Sequence, residues 1–405
     1  MKKIILIIID GLGDKPIPQL ENKTPLEAAK TPNLDRLAAE GVAGLVLPLK
    51  FGDFPHSDTA HLALFGYDPK IYYLGRGPYE AAGIGINLKK NEVALRVNFG
   101  TVDENLKVID RRAGRISQTE PLIKSLQKIK IKKVKFILRK SYGHRAVLIL
   151  KGENISSAIT DGDPGKVGEK VKKILPVCFG RCGAQAIEKG KFTAKVLNEY
   201  LEKAHQILEN HSLNRKRKKR GLLPANYLLV RGAGSFRKTP SIKEKYGLRA
   251  CCIAGGALYK GIGKILGMKL IKVKGANGLP TTNLFGKFQA IRKSLKKYDF
   301  IFCHIKATDN LAEDGNFLGK KEFIEKIDKN INPILGLKNT LIVITADHST
   351  CSTLKRHCLE PIPILIFGNG RNGVQSFSER ACKKGKLGEI NQLKLMSIIL
   401  KLASA

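Results

Sequence analysis

The chain reads as an α/β protein with a mostly parallel sheet and helices on both faces. Three observations predict this. Apolar runs of strand length recur at 3–9, 298–304 and 341–344 (KIILIII, YDFIFCH, LIVI). Continuous apolar runs, rather than alternating ones, mark strands buried on both faces. A polar group follows each run: Asp10, Asp309 and the pair Asp347-His348. In an open α/β sheet, the carboxyl ends of the strands are where sites are built.

Composition narrows the class. A chain of 405 residues is long enough for two domains and a sizeable core. No apolar run approaches the ~20 residues needed to span a bilayer. The run at 4–9 is too short for a secretory signal, and Asp10 interrupts it. The chain is therefore read as cytoplasmic, without a membrane partner. Its eight cysteines show no zinc spacing, and most are read as buried thiols of a reducing compartment. The net charge of +37 invites a nucleic-acid reading. Against it, the lysines are spread along the whole chain, with clusters at 128–135 and 215–220, and aromatic residues do not interleave them. A positive field also suits a small anionic substrate.

In chain order, 3–9 is a strand that ends in Asp10-Gly11. Residues 31–39 (TPNLDRLAA) form a helix with Thr31 as cap and Pro32 at its first position. A strand follows at 42–48. The polar knot 55–61 (PHSDTAH) leads into a helical stretch, and Ser57 occupies a turn expected to expose its hydroxyl. The glycine-rich stretch 75–85 with Arg76 is read as a hinge or a domain crossing. The segment 92–99 (EVALRVNF) alternates and reads as a strand, as do 146–151 and 226–234. Two helical patterns flank a glycine-rich bend at 179–184, and His205 and His211 are expected to be exposed. Apolar character returns from Leu248.

A carboxylate or imidazole just past one strand reads equally well as a turn or helix cap. Asp10, Asp309 and Asp347-His348 together, with His357 close behind, favour a divalent-metal site. Glu313 stands four residues after Asp309, on the same face if the segment is helical. Ser57 needs a base or a metal to become a nucleophile. Three basic loops hold Arg111, Arg112 and Arg115, then His144 and Arg145, then Arg231. Arginine forks match phosphate and carboxylate, so the loops point to a small phosphorylated carboxylate.

Asp10-Gly11, Ser57 in HSDTAH and Asp347-His348 in TADHST resemble the alkaline phosphatase superfamily. With TPNLDRLA, SDTAHLALFGYDP, GRGPYEAAGIG, RVNFGT, DRRAGRIS, GHRAVLILKG and NYLLVRGAG, the chain is similar almost end to end to the archaeal-type cofactor-independent phosphoglycerate mutases. The resemblance implies an alkaline-phosphatase-like domain at 1–87 and 246–405, interrupted by a smaller α/β, substrate-binding insert at 88–245. It implies interconversion of 3-phosphoglycerate and 2-phosphoglycerate through a phosphoserine at Ser57, without 2,3-bisphosphoglycerate. Two divalent ions (manganese, magnesium, zinc or cobalt) are implied. Asp10, Ser57, Asp347 and His348 would hold one. Asp309, His357 and Glu313, where the family has a histidine, would hold the other. Arg111, Arg112, Arg115, His144, Arg145, Arg231 and Lys306 are the implied substrate contacts. The chain also departs from the family pattern at Asp163-Pro164-Gly165 and at Gln392-Leu393-Lys394. Alternatives are a diverged metal-dependent phosphatase or phosphotransferase acting on another small phosphate or phosphonate ester, and a non-catalytic binder of a ligand or polyanion. Monomer and oligomer are both compatible with the sequence.

Overall fold

The computed structural model describes residues 1–49, 55–178, 183–371 and 373–405. Met1–Tyr73 with Thr239–Ala405 form one compact unit, and Leu74–Lys238 form a second.

The first unit is built on an eight-stranded sheet. Its order is Glu389–Asn391, Val42–Leu47, Ile362–Phe367, Thr340–Thr345, Lys3–Ile9, Phe300–Ile305, Ala250–Ile253 and Lys269–Leu270. Only Ile362–Phe367 runs against the rest. The apolar run expected to be a buried strand is the central one. Ile4, Ile5, Leu6, Ile7, Ile8 and Ile9 are all 0% exposed, so both faces of the sheet are covered. Each such side chain contributes roughly 1.5–3 kcal/mol through burial. The register sets Ile9 beside Ile305 and Ile8 beside Thr345. Asp10, Lys306 and Ala346 therefore leave the sheet at one edge.

The helix Pro32–Ala39 buries Leu34, Leu37 and Ala38, with Pro32 at its first turn. The helix Ser57–Leu64 is buried along its whole length, because it packs among core elements rather than over them. Gly11 turns the chain at the end of the central strand with φ +65°. A Cβ there would lie 2.5 Å from Thr350 Oγ1 and 2.8 Å from Asp309 Cβ.

The second unit has an antiparallel sheet. Its centre is Glu92–Val102, flanked by Arg145–Lys151 and Tyr227–Ser235, with Lys135–Lys140 beyond. Alternation sends Val93, Leu95, Val97 and Phe99 into the main core with Leu197, Tyr200 and Leu201 of the helix Ala184–Glu209. Ala94 goes to the other face with Val147, Ile149 and Ala81. The glycine-rich stretch read as a hinge or crossing lets the helix Arg76–Gly83 lie against the strand. A Cβ on Gly77 would lie 2.0 Å from the carbonyl oxygen of Ala94.

Four expectations are corrected. No helix forms ahead of the bend at 179–184. That segment instead makes isolated bridges, Lys107 with Lys170 and Ile159 with Pro176. Gly165 and Gly168 take positive φ there, which breaks a helical repeat. Residues 179–182 lie outside the described residues. His205 and His211 are not freely exposed. His205 Nδ1 lies 2.8 Å from the carbonyl oxygen of Asn226, and the His211 side chain caps the helix Ser212–Lys219. The Ser57 hydroxyl is buried rather than exposed. The reading of most cysteines as buried thiols is cut back, because Cys351 and Cys358 are joined across a short hairpin and Cys178 is disulfide-bonded as well. Cys251, Cys252, Cys303 and Cys382 are free and buried, as expected.

Candidate metal centre

Three adjacent parallel strands deliver the side chains. Lys3–Ile9 leads to Asp10. Phe300–Ile305 leads to Lys306 and to Asp309 in the first turn of the helix Ala307–Glu313. Thr340–Thr345 leads to Asp347 and His348. Ser57 opens the helix Ser57–Leu64. The hairpin Ser349–Cys351 and Arg356–Cys358 pairs Thr350 with His357 and stacks the His357 ring 3.7 Å from that of His348.

Four donor atoms converge on the serine side. Ser57 Oγ is 3.1 Å from His348 Nε2. Asp347 Oδ2 and Asp10 Oδ1 are 3.3 and 3.6 Å from the same nitrogen. Each carboxylate is held by its other oxygen. Asp347 Oδ1 accepts from Gly11 N at 3.3 Å. Asp10 Oδ2 accepts from Tyr259 Oη at 2.5 Å, and His304 Nε2 lies 3.0 Å from it. Asp10 Oδ1 and Asp347 Oδ2 are buried without a hydrogen-bond partner. Two orphaned carboxylate oxygens, an imidazole nitrogen and a hydroxyl suit a divalent cation.

The second group is Asp309, His348 and His357. Asp309 Oδ1 lies 3.4 Å from His357 Nε2 and accepts from Thr350 Oγ1 at 2.7 Å. Glu313 Oε1 is 3.9 Å from His357 Nε2. Lys306 bridges the two groups, with Nζ 3.0 Å from Asp10 Oδ2 and 2.6 Å from Asp309 Oδ2. It is thus committed to the carboxylates.

The electrostatics follow the crowding. Burial, reinforced by Asp10, raises the Asp347 carboxyl to about 7. Burial and His357 lower His348 to about 3, which leaves its imidazole neutral and ligand-competent. Burial opposes the charge of His357, but Asp309 and the Pro55 carbonyl outweigh it and raise the group to about 9. Burial also opposes ionisation of Asp309, yet Lys306 and His357 hold it well below the usual carboxylate range.

The basic residues lie in the second unit and are not equivalent. Arg111 is forked onto Asp163, Nε to Oδ1 at 3.1 Å and Nη2 to Oδ2 at 2.7 Å. Arg231 Nε stands 4.0 Å from Asp163 Oδ2. His144 is lowered to about 3 by burial and by Arg145, Arg96, Arg112 and Arg115.

Sequence reasoning missed Tyr259, His304, Thr350 and Gln392. His304 is the penultimate residue of a parallel strand, so position could have flagged it. Tyr259 and Thr350 carried no signal. Gln392, at a departure from the family pattern, donates to the carbonyl of Asp347 at 2.7 Å and accepts from Leu49 N at 3.0 Å. It braces the backbone of a candidate ligand.

Comparison with known proteins adds independent findings. Residues 2–402 match the metalloenzyme superfamily. The chain is 47% identical to 2,3-bisphosphoglycerate-independent phosphoglycerate mutase 1 of Archaeoglobus fulgidus, covering 98% of this chain and 97% of that one. It is 44% identical to the enzyme of the same name from Methanocaldococcus jannaschii, covering 99% and 97%. Among solved structures, the cofactor-independent phosphoglycerate mutase of Thermoplasma acidophilum superposes with a TM-score of 0.66 at 36% identity, covering all of both chains. A Pyrococcus horikoshii protein superposes with a TM-score of 0.82 at 34% identity, covering 100% and 97%.

Proposed function

This chain belongs to the metalloenzyme superfamily and, within it, to the 2,3-bisphosphoglycerate-independent phosphoglycerate mutases, and on that premise we propose that it interconverts 3-phosphoglycerate and 2-phosphoglycerate with Ser57 as nucleophile. The observation that carries the assignment is the convergence of Ser57 Oγ, Asp10 Oδ1 and Asp347 Oδ2 within 3.6 Å of His348 Nε2.

Asp10, Ser57, Asp347 and His348 would hold one divalent ion. Asp309, Glu313 and His357 would hold the other. With four carboxylates against two imidazoles, we favour manganese. Bound ions supply a lowered serine pKa and neutralise charge on the transferring phosphoryl group.

The residues do the rest. Ser57 Oγ forms the bond to phosphorus while the bond to the substrate's 3-oxygen breaks. The serine proton leaves, and the released oxygen is protonated. The 2-hydroxyl then gives up its proton and attacks the phosphoserine, the bond to Oγ breaks, and Oγ takes up a proton to restore the serine. Ser57 is 4% exposed, which limits competing attack by water. Lys306 adds positive charge beside the reacting oxygens. Arg111, Arg112, Arg115, His144, Arg145 and Arg231 are assigned to the anionic groups of the substrate. No helix among the described residues is long and apolar enough to cross a membrane. We assign the activity to the cytoplasm.

The test is a coupled assay with 3-phosphoglycerate and manganese. Formation of 2-phosphoglycerate, lost in Ser57→Ala, supports the reading. Free phosphate as sole product makes the protein a phosphatase instead.

A further inference from the structure

The candidate ligands sit on separate pieces of the first unit. Asp10 opens the turn after Lys3–Ile9, Asp309 and Glu313 lie on the helix Ala307–Glu313, and His357 lies on the hairpin that follows His348. A buried ion pair with no part in the proposed chemistry ties these pieces together. Lys320 lies in the first turn of the helix Phe317–Asn330 and is 0% exposed. Its Nζ donates to Asp14 Oδ2 at 2.9 Å, to the carbonyl of Thr350 at 3.0 Å and to the carbonyl of Gly13 at 3.1 Å. An ammonium has three protons, so each finds an acceptor. Asp14, also buried, is filled as completely. Its Oδ1 accepts from Lys15 N at 2.8 Å and from Ser352 N at 3.0 Å. Its Oδ2 accepts from Ser352 Oγ at 2.6 Å as well as from Lys320.

The turn and the hairpin meet closely at this pair. Thr350 N donates to the carbonyl of Gly13 at 3.0 Å. A Cβ on Gly13 would lie 2.1 Å from Ser349 Oγ. The helix of Lys320 follows the helix of Asp309 and Glu313 across a bend at Gly315, whose φ is +76°. The pair reaches the candidate ligands through Thr350. Thr350 Oγ1 donates to Asp309 Oδ1 at 2.7 Å and lies 3.2 Å from His348 Nδ1. Across the hairpin Thr350 pairs with His357, whose Nε2 stands 3.4 Å from the same Asp309 oxygen. A shift of Thr350 therefore moves His357 relative to Asp309. A buried ion pair adds little net stability, because the loss of hydration offsets the attraction between the charges. What it fixes is geometry.

We propose that Lys320 and Asp14 are positioning residues for the metal centre. They lock the hairpin against the turn after Asp10 and so set the reach of His357 to Asp309. Lys320 acts through the carbonyl of Thr350, and Asp14 acts through the backbone and hydroxyl of Ser352. The proposal rests on the two-ion reading of the centre. Partners outside a ligand set act on metal affinity by orienting the ligands.

The test is manganese calorimetry on the full chain. His357→Ala identifies the binding step that depends on the hairpin. Lys320→Met keeps the aliphatic stem and removes the ammonium, and it should weaken that step by at least ~10-fold. Ile327→Ala, on the same helix and also 0% exposed, should lower the Tm without weakening manganese binding. Asp14→Asn combined with Lys320→Met leaves no buried charge unpaired, and it should show the same loss if Lys320→Met alone does not fold. Full manganese affinity in either folded variant, or an equal loss in Ile327→Ala, overturns the proposal. If His357→Ala costs no ion, the two-ion reading fails and the proposal falls with it. A wild-type chain that binds two ions yet leaves 3-phosphoglycerate unconverted rejects the mutase reading alone, while the binding series still judges the pair.

Discussion

Oε1 of Glu313 lies 3.9 Å from Nε2 of His357, on the helix that begins two residues before Asp309. A carboxylate thus stands near the imidazole where the family pattern has a second histidine. Glu313→Ala is expected to cost one bound ion, counted by elemental analysis after dialysis, with an unchanged circular dichroism spectrum. Glu313→His should shift the preference from manganese toward zinc. Two ions retained by Glu313→Ala at unchanged affinity would remove this residue from the centre.

Tyr259 reaches Asp10 from outside the candidate ligand set. Its hydroxyl donates to Oδ2, and its ring stacks 3.3 Å from His304, which approaches the same oxygen. This arrangement orients Oδ1 toward His348. Tyr259→Phe keeps the ring and removes the donor. The expected result is manganese binding weaker by roughly 10–100-fold, since outer partners of ligands act on that scale. An unchanged dissociation constant would show that Asp10 needs no such brace.

The Cys351–Cys358 bridge closes the hairpin that carries His357, with a sequence separation of 7. A loop of that size is stabilised by roughly 2–3 kcal/mol. Cys351→Ser with Cys358→Ser should lower the Tm by about 2–5 °C, and reductant should lower the wild type by at least that much, because Cys178 is disulfide-bonded as well. A wild-type Tm insensitive to reductant would contradict a stabilising bridge.

Glu379 is a buried acid remote from the candidate ligands in sequence, hydrogen-bonded by Thr24 Oγ1 at 2.7 Å and by Asp14 N at 3.2 Å. Burial raises its carboxyl from 4.5 to about 7. A raised folded pKa gives a contribution that is full below the unfolded value and is lost as pH rises through the folded one. Stability from this group therefore declines between about pH 4.5 and 7. Glu379→Gln should flatten that decline, so its Tm relative to wild type rises from pH 5 to pH 8. A constant difference across that range would contradict the shift.

The strand ends that carry Asp10, Asp309, Asp347 and His348 were legible because apolar runs and their polar ends are local. Six consecutive aliphatic residues before Asp10, and the run before Asp347-His348, specify buried strands and a common edge without any knowledge of partners. The Thr31–Pro32 start was equally local. The segment ahead of residue 179 was misread because helical periodicity says nothing about Gly165 and Gly168, whose positive φ ends it. The buried hydroxyl of Ser57 was missed for a different reason: a turn looks exposed until the elements packed over it are known.

The sequence by itself determined the α/β class, the strands that carry Asp10, Asp309, Asp347 and His348, and the family pattern around Ser57. These follow from hydrophobic runs and short motifs, in which each residue's neighbours in the chain hold the information. Only the tertiary structure decided that one oxygen of Asp10 is tied by Tyr259 and His304 while the other is left for His348. It alone joined Cys351 to Cys358, turned Gln392 into a brace for Asp347 and set Lys320 against Asp14 and Thr350. Those relationships join residues far apart in the chain, such as Asp10 with His304 and His348, and strand register and packing, not local propensity, fix them.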